Sequence, residues 1–507
     1  MGLTLIPVPA LDPWPGPCLW SLITAAAPVA DDGAAVATLG LGPEDRERLC
    51  CRLSGMHVIV VGGGLVGSTL AEKLANDGHD VVLVEKSREL LAELNERLDV
   101  QTIVGNGATV PVLREAGIER CDLLLATTNS DESNMVVALV GSALFEVPRV
   151  VARLRDAGHE ESFSTIGSET DTGAERMSIN PDVATVERIM SLLPVPGAVD
   201  LVPFFAGRLL VVGFIIRRDS EFAGLLLSHL NLLFPSSAVL VVAIRRGGDW
   251  RVPHGDDELR AGDLVYFALD PAELDNVLVL LKLDRGEERR VMIAGATRIG
   301  VELARRLEKA EVPVTLVESQ RTVAEAAAAE LGRTLVVHGS PTDRRLLQEE
   351  GAERVQGFVA CTDDHEENVV ACLVARRLGA AHTFAMVDNP ALASLIGELG
   401  IDAVISPRLL SVSLALQFAR KGLVRAVAAL MDDVVELIEV EAAEGSRLTS
   451  STLAELGLPR GVLIAAVERE DRIVVPSGSD RIHAGERVLF VTRTDTAGRL
   501  DPFLDVR

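Results

Sequence analysis

The chain has 507 residues, 48% hydrophobic and 24% charged, which at roughly 100–200 residues per domain predicts three or four domains with ample core. Lys and Arg number 49 against 74 Asp and Glu, a net charge of −25, and aromatic residues make up only 3%. Nucleic acid is excluded as a partner, because clustered cations to neutralise phosphates and aromatic platforms for bases are both missing.

Residues 1–55 stand outside the fold argument. Cys18 to Ala30 has the apolar character of a signal core, but the first Lys or Arg is Arg46, so the positive flank is absent. The stretch reads either as a disordered leader or as sequence upstream of the natural start at Met56. No later run approaches the ~20 apolar residues that span a bilayer; the strongest, Leu209 to Ile216, has strand length. The six cysteines and nine histidines show no disulfide or zinc spacing, so a reduced, metal-free protein is expected.

From Met56 onward the elements come in two copies. His57–Val61 is a β-branched run entering Gly62-Gly63-Gly64-Leu65-Val66-Gly67. A helix is predicted over Ser68–Asn76, then a buried strand ending in Glu85. The plan recurs: a strand enters Gly295-Ala296-Thr297-Arg298-Ile299-Gly300, a helix follows, and a strand ends in Glu318. Leu113–Gly117 matches Leu347–Gly351, and Thr128, Glu132 and Asn134 match Thr362, Glu366 and Asn368. Alternating strand and helix patterns indicate a parallel sheet. A second, β-rich module also repeats, with Val252-Pro253-His254-Gly255 matching Val475-Pro476-Ser477-Gly478. The order is A–B–A′–B′.

In the first copy each glycine has a physical task. Gly62 permits the tight turn, Gly64 lets a pyrophosphate approach the backbone, and Gly67 allows close helix–strand packing. Phosphate would meet the unpaired N–H groups of the helix N-terminus. Glu85 suits a free ribose hydroxyl, favouring NAD(H) or an adenine nucleotide over NADP. A Gly67→Asp change is expected to abolish this binding. Asn106 and Thr128 follow the third and fourth strands, where ligands of open α/β sheets lie. Arg153 and Arg155 are expected to share one face of the fifth strand.

The second copy admits two readings. Thr297 puts a side chain where a pyrophosphate would come closest, which suggests a vestigial site. Arg298 projects from the loop and could pair with phosphate oxygens. Neither copy offers a catalytic group. His365 reads as a solvated loop residue, and Asp131-Glu132 and Glu366-Glu367 as first-turn acids that complement helix dipoles. A ligand-driven switch fits better than an enzyme.

Several stretches carry a family resemblance: Met56–Glu72, Val112–Gly117, Thr127-Thr128-Asn129-Ser130-Asp131-Glu132-Ser133-Asn134-Met135, Ala152–Arg155, Gly300–Glu308 and Ala403–Pro407. Through them the chain, from Met56 to about Phe503, resembles the TrkA family of potassium-uptake regulators, built from two tandem RCK (regulator of K⁺ conductance) units. The resemblance implies two Rossmann-like doubly wound parallel-sheet domains, RCK_N, at 56–178 and 288–408. Each is followed by a small α+β RCK_C domain, at 190–283 and 420–505. It further implies a non-enzymatic cytoplasmic subunit, peripheral on the inner face of the plasma membrane. Such subunits form a ring beneath a TrkH- or TrkG-like potassium-translocating subunit, with NAD(H), ATP or ADP as regulatory ligands.

Carried over by position, Gly62, Gly64, Leu65, Val66 and Gly67 would face phosphates and Glu85 the ribose. Asn106 and Thr128 would line the adenosine side, and Arg153 and Arg155 would add charge. Gly295, Arg298, Ile299, Gly300 and Glu318 hold the matching places in the second copy, where Thr297 and Ser340 depart from a family glycine and a commonly acidic residue. The alternatives are an NAD-dependent oxidoreductase with a duplicated Rossmann fold, and a regulator of another cation transporter.

Overall fold

The computed structural model describes residues 55–169, 173–234, 239–283, 289–389, 399–419, 424–430, 434–459, 461–470, 472–493, 500 and 503. The leader expectation, residues 1–54 in particular, lies outside the described residues.

The first copy opens with β1 (His57–Val61), α1 (Leu65–Asn76), β2 (Asp80–Glu85), α2 (Arg88–Asn95), β3 (Gln101–Val104) and α3 (Val110–Glu115). It continues with β4 (Leu123–Ala126), α4 (Asp131–Leu139), β5 (Arg149–Arg153), α5 (Ala157–Glu169), β6 (Glu175–Ile179) and α6 (Pro181–Leu192). The strand order is β3-β2-β1-β4-β5-β6, with parallel pairings throughout. That is the doubly wound dinucleotide-binding order, as expected. All five residues of β1 are buried, because helices cover both faces of a parallel sheet and its strands then read as unbroken apolar runs. Helix α1 begins at Leu65, three residues ahead of the expected Ser68, and buries Val66, Leu70, Ala71 and Leu74 on one face.

Repetition is visible in the second sheet, β14-β13-β12-β15-β16-β17. Its strands are β12 (Val291–Ala294), β13 (Val314–Glu318), β14 (Leu335–His338), β15 (Gly357–Ala360), β16 (His382–Met386) and β17 (Ala403–Ile405). Between and after them come α8 (Arg298–Lys309), α9 (Arg321–Glu330), α10 (Arg344–Glu349), α11 (His365–Leu378) and α12 (Pro407–Ala419).

Each B module is a five-stranded antiparallel sheet. The first holds β7 (Ala198–Phe204), β8 (Leu209–Ile215), β9 (Val239–Arg246), β10 (Asp249–Arg251) and β11 (Leu264–Leu269), followed by α7 (Leu274–Leu280). The second holds β18 (Val424–Ala429), β19 (Val435–Glu441), β20 (Val462–Arg469), β21 (Arg472–Val474) and β22 (Arg487–Arg493). The orders β10-β9-β11-β8-β7 and β18-β19-β22-β20-β21 are one topology read from opposite edges. Each module repeats one clamp. Arg246 grips Asp263 with bonds of 2.6 and 2.7 Å, and Arg469 Nε donates to Glu486 Oε1 at 2.7 Å.

Two packing features are not expected from the sequence. The described residues form two compact units, 289–383 and a larger one joining 55–283 with those from Phe384 on. Within the larger unit, α12 drives Val412, Ala415, Phe418 and Ala419 into the core beneath β1, beside Val58, Val60, Leu70 and Leu74. A helix that follows the second copy thus completes the core of the first. The two B sheets also share one core, Phe204, Val211, Trp250 and Tyr266 meeting Leu437, Ala465, Leu489 and Val491. Across that contact the Phe205 N–H donates to Glu439 Oε2 at 2.9 Å.

Candidate functional site

The first glycine loop lies between β1 and α1, at the carboxyl ends of β1 and β4. Gly62 has φ +106°, and a Cβ there would meet the Thr128 backbone nitrogen at 2.9 Å, so only glycine fits. A Cβ on Gly67 would lie 1.8 Å from the Gly62 carbonyl oxygen, so this glycine sets how closely α1 approaches the strand. The expected effect of Gly67→Asp must therefore be corrected: that change breaks the loop before it touches a ligand. Gly64 differs from both. Its φ is an ordinary −64°, it stands at the N-cap of α1 with no side-chain cap, and a Cβ there would find nothing within 4 Å. The helix N-terminus accordingly faces open space, the geometry an anion uses. Leu65 is exposed, whereas Val66 is buried and only its backbone could serve a ligand.

Glu85 ends β2 as expected, but its carboxylate already holds the loop. Oε2 accepts from Gly63 N at 2.7 Å, and Oε1 accepts from Lys86 N and Ser87 N at 2.8 and 3.0 Å. The side chain is half-buried, so its position beside the loop is fixed before any ribose arrives. Asn106 is exposed after β3 and closes an Asx turn, Oδ1 accepting from Ala108 N at 3.0 Å.

Thr128 is positioned by a residue that stands in the repeat and in the resembling stretch but is not among the expected site residues. Asn134, on α4 and fully buried, accepts from Thr128 N at 2.9 Å and Thr128 Oγ1 at 2.7 Å. Its Nδ2 donates to the carbonyls of Thr128 at 3.1 Å and Arg153 at 2.7 Å. One amide thus pins the carboxyl ends of β4 and β5. The matching positions Thr128/Asn134 and Thr362/Asn368 are the signal that could have revealed it.

The two arginines do not share a strand face. β5 ends at Arg153, which is buried, and Arg155 lies beyond it, exposed. The strand stops there because Asp131 Oδ2 captures the N–H groups of Arg155 and Asp156, both at 2.8 Å. Burial depresses the Arg153 guanidinium, as does the neighbouring Arg155 charge, while Asp182, Asp131 and Asp388 oppose the shift. Arg153 Nη1 reaches the Thr128 carbonyl only at 3.5 Å, and its buried Nε has no partner. An anion would satisfy it.

The second copy keeps the turn and loses the opening. Gly295 has φ +104°, and a Cβ on Gly300 would lie 2.1 Å from the Gly295 oxygen. Glu318 Oε2 accepts from Ala296 N at 2.8 Å, as Glu85 does from Gly63. Thr297, however, turns its hydroxyl inward. Oγ1 donates to the Cys361 carbonyl at 2.8 Å and accepts from Gly300 N at 3.3 Å. The helix end is capped by its own chain, so the expectation of a side chain blocking the pyrophosphate is replaced by one of a donor already satisfied. Arg298 is exposed as the first residue of α8, and Ile299 is buried. The place of the arginine pair is taken by buried Val387 and by Asn389. Among the described residues no helix is long and apolar enough to cross a membrane.

Comparison with known proteins agrees with the duplicated plan. The TrkA-N domain family matches residues 58–171 and 291–407, and the TrkA-C domain family residues 211–282 and 437–505. The chain is 34% identical over 453 residues to the Trk system potassium uptake protein TrkA of Azorhizobium caulinodans, covering 89% of this chain and 99% of that protein. It is 32% identical over 438 residues to the protein of the same name from Halomonas elongata, covering 86% and 95%. Among solved structures, the GsuK RCK domain superposes with a TM-score of 0.56 at 19% identity, covering 91% of this chain and 99% of that one. The GsuK channel bound to NAD gives 0.56 at 19% identity, covering 91% and 82%. At that identity the likeness is one of fold.

Proposed function

The chain belongs to the TrkA family of Trk system potassium uptake proteins, and from that premise we propose that it is the nucleotide-sensing regulatory subunit of a potassium-uptake system. It works on the cytoplasmic face of the membrane, assembles into a ring and docks on a potassium-translocating subunit of the TrkH or TrkG type. The ligand is an adenine nucleotide, NAD(H), ATP or ADP, held by the first copy. The observation that carries this reading is the N-terminus of α1 at Gly64, which has no side-chain cap and faces open space.

Backbone N–H groups at Gly64, Leu65 and Val66 would take the pyrophosphate, with the helix dipole adding to the attraction. Glu85, already oriented by three backbone donors, would accept from a ribose hydroxyl, and Thr128 and Asn106 would flank the adenosine. Arg153 and Arg155 would meet the outer phosphates. Switching needs a difference in affinity between two arrangements of the ring, and the shared cores described above give the nucleotide lobe something to move. Helix α6 leads from the nucleotide lobe into the first B module, where Arg188 pairs with Asp200, and Tyr266 Oη donates to Asp200 Oδ2 at 3.1 Å.

The test is potassium uptake in cells lacking their own Trk regulator and co-expressing the cognate membrane subunit. The parent protein should restore uptake and Gly64→Asp should not, although both fold. Restoration by both would move the switch away from this loop. Steady consumption of NADH by the purified protein with a small carbonyl substrate would instead favour the oxidoreductase reading.

A further inference from the structure

The nucleotide loop belongs to the first copy, but α12, which follows the second copy, packs on the helix that the loop enters. The guanidinium of Arg149, at the start of β5, donates through Nη1 to the carbonyl of Ala419, the last residue of α12, at 2.5 Å. Helix α12 also packs on β5, β6 and α1. With its last residue at the start of β5, the helix runs back along the sheet, and its first turn falls at the carboxyl end, where Arg153 and the glycine loop are. A helix of 13 residues spans ~20 Å at 1.5 Å per residue. That is ample to pass the five residues of β5, which at ~3.3 Å each cover less than 17 Å.

Arg408 stands in that first turn. Asp388 Oδ1 accepts from Ser406 Oγ at 2.6 Å and from the Arg408 backbone N–H at 3.4 Å, which fixes where the turn begins. The Arg408 side chain is half-buried, and its Nε is buried with no hydrogen-bond partner. Among the described residues it makes no ion pair. Arg153, also unpartnered at Nε, is 8% exposed. Two guanidinium groups from different halves of the chain therefore reach one end of one sheet with donors unsatisfied. The acids near Arg153, Asp182, Asp131 and Asp388, offset part of its charge, but Asp388 Oδ1 is taken by Ser406 and the α12 backbone, and Asp131 Oδ2 by the Arg155 and Asp156 N–H groups.

We propose that Arg408 and Arg153 together form a subsite for the terminal phosphate of a nucleoside triphosphate, so that the second half of the chain reads how many phosphates the first half has bound. The inference rests on the nucleotide reading of the first copy and adds to it a cause of discrimination. A diphosphate or a dinucleotide would occupy the glycine loop and leave Arg408 without a partner. A triphosphate would bridge β5 to α12 and so join the two halves of the chain. Guanidinium suits this task because its planar fork pairs with phosphate through two parallel hydrogen bonds.

The full-length protein should be titrated calorimetrically with ATP and, separately, with ADP. Arg408→Gln is expected to weaken ATP about ten-fold, the size of one charge-assisted contact, and to leave ADP within about two-fold. Arg408→Lys should fall between the parent and Arg408→Gln for ATP alone. Circular dichroism checks folding; if Arg408→Gln is not folded, Arg408→Lys takes its place, and a loss confined to ATP remains the supporting result. Equal losses for both nucleotides, or none for either, would overturn the subsite while leaving the nucleotide reading intact. Binding of neither nucleotide by the parent protein would sink both. Loss of both nucleotides in Gly64→Asp beside loss of ATP alone in Arg408→Gln is the pattern that supports the two together.

Discussion

The side-chain amide of Asn134 donates to the backbone carbonyl of Arg153 at 2.7 Å, joining α4 to the end of β5 across 19 residues of chain. The same side chain serves both backbone groups and the hydroxyl of Thr128. Replacing Asn134 with Ala leaves several buried polar groups without partners, each costing about 1–3 kcal/mol, so a total loss of roughly 3–5 kcal/mol is expected. Urea unfolding of Asn134→Ala should show it as a lower midpoint with an unchanged slope. An unchanged midpoint would mean that water replaces the amide without cost.

Gly64 and Gly67 separate ligand binding from folding. Gly64 has open space before it and an ordinary φ, so Gly64→Asp should change the melting temperature by less than about 3 °C while placing a carboxylate where phosphate would sit. Gly67→Ala introduces a Cβ 1.8 Å from a carbonyl oxygen, and the loop or helix must shift. It should cost about 1–3 kcal/mol, as overpacking does, even without ligand. Thermal melting of both variants with and without ATP distinguishes them. A destabilised Gly64→Asp that still gained stability from ATP would contradict the site.

Much of this is legible in the sequence because parallel strands advertise themselves. β1 and β2 are continuous β-branched runs, and the acids Glu85 and Glu318 fall at the same shift of 233 as Gly62 and Gly295. The roles of Gly62 and Gly67 also follow, since a tight turn and a close helix are backbone requirements that only glycine meets. Relations between distant segments are what stays hidden. Phe418 reads as the apolar face of an ordinary helix, and nothing in its neighbours says that it fills the core under β1. Thr297 draws attention by its size, whereas its hydroxyl decides its role by capping Gly300. Arg153 and Arg155 alternate like strand residues, but the Asp131 carboxylate ends the strand between them.

Acid sensitivity should follow from the repeated clamp in the B modules. Burial pushes the Asp263 carboxyl up, yet the hydrogen bonds from Arg246 and the Arg260 N–H, with the Arg246 charge, hold it below the usual carboxylate range. A depressed folded-state pKa contributes stability that is full above the unfolded value near 3.9 and is lost as the pH falls through the folded value. Unfolding free energy should therefore decline below about pH 4, and Asp263→Asn should flatten that decline. At pH 7 the same variant should cost roughly 2–3 kcal/mol, somewhat below the figure for a fully buried pair, because Arg246 keeps some solvent access. Chemical denaturation of both proteins between about pH 3 and 7 is the measurement. An equally steep decline in the two proteins would remove Asp263 as its cause.

Thr297 makes the two nucleotide lobes unequal, and stoichiometry reads that inequality. In the first copy the α1 end has no side-chain cap, whereas in the second Thr297 Oγ1 accepts from Gly300 N and donates to the Cys361 carbonyl. A phosphate entering the second loop would have to displace that cap. Calorimetric titration with ATP should accordingly give one site per chain. Thr297→Ala should cost about 1 kcal/mol in unfolding free energy, the usual loss for an N-cap hydroxyl. Thr297→Gly restores the pattern of the first loop at a cost of only a few tenths of a kcal/mol at the cap. If capping alone closes the second lobe, Thr297→Gly should raise the count toward two. A count that stays at one would place the difference in the missing arginine pair, where Val387 and Asn389 stand, and two sites in the parent protein would show that a capped helix end still accepts phosphate here.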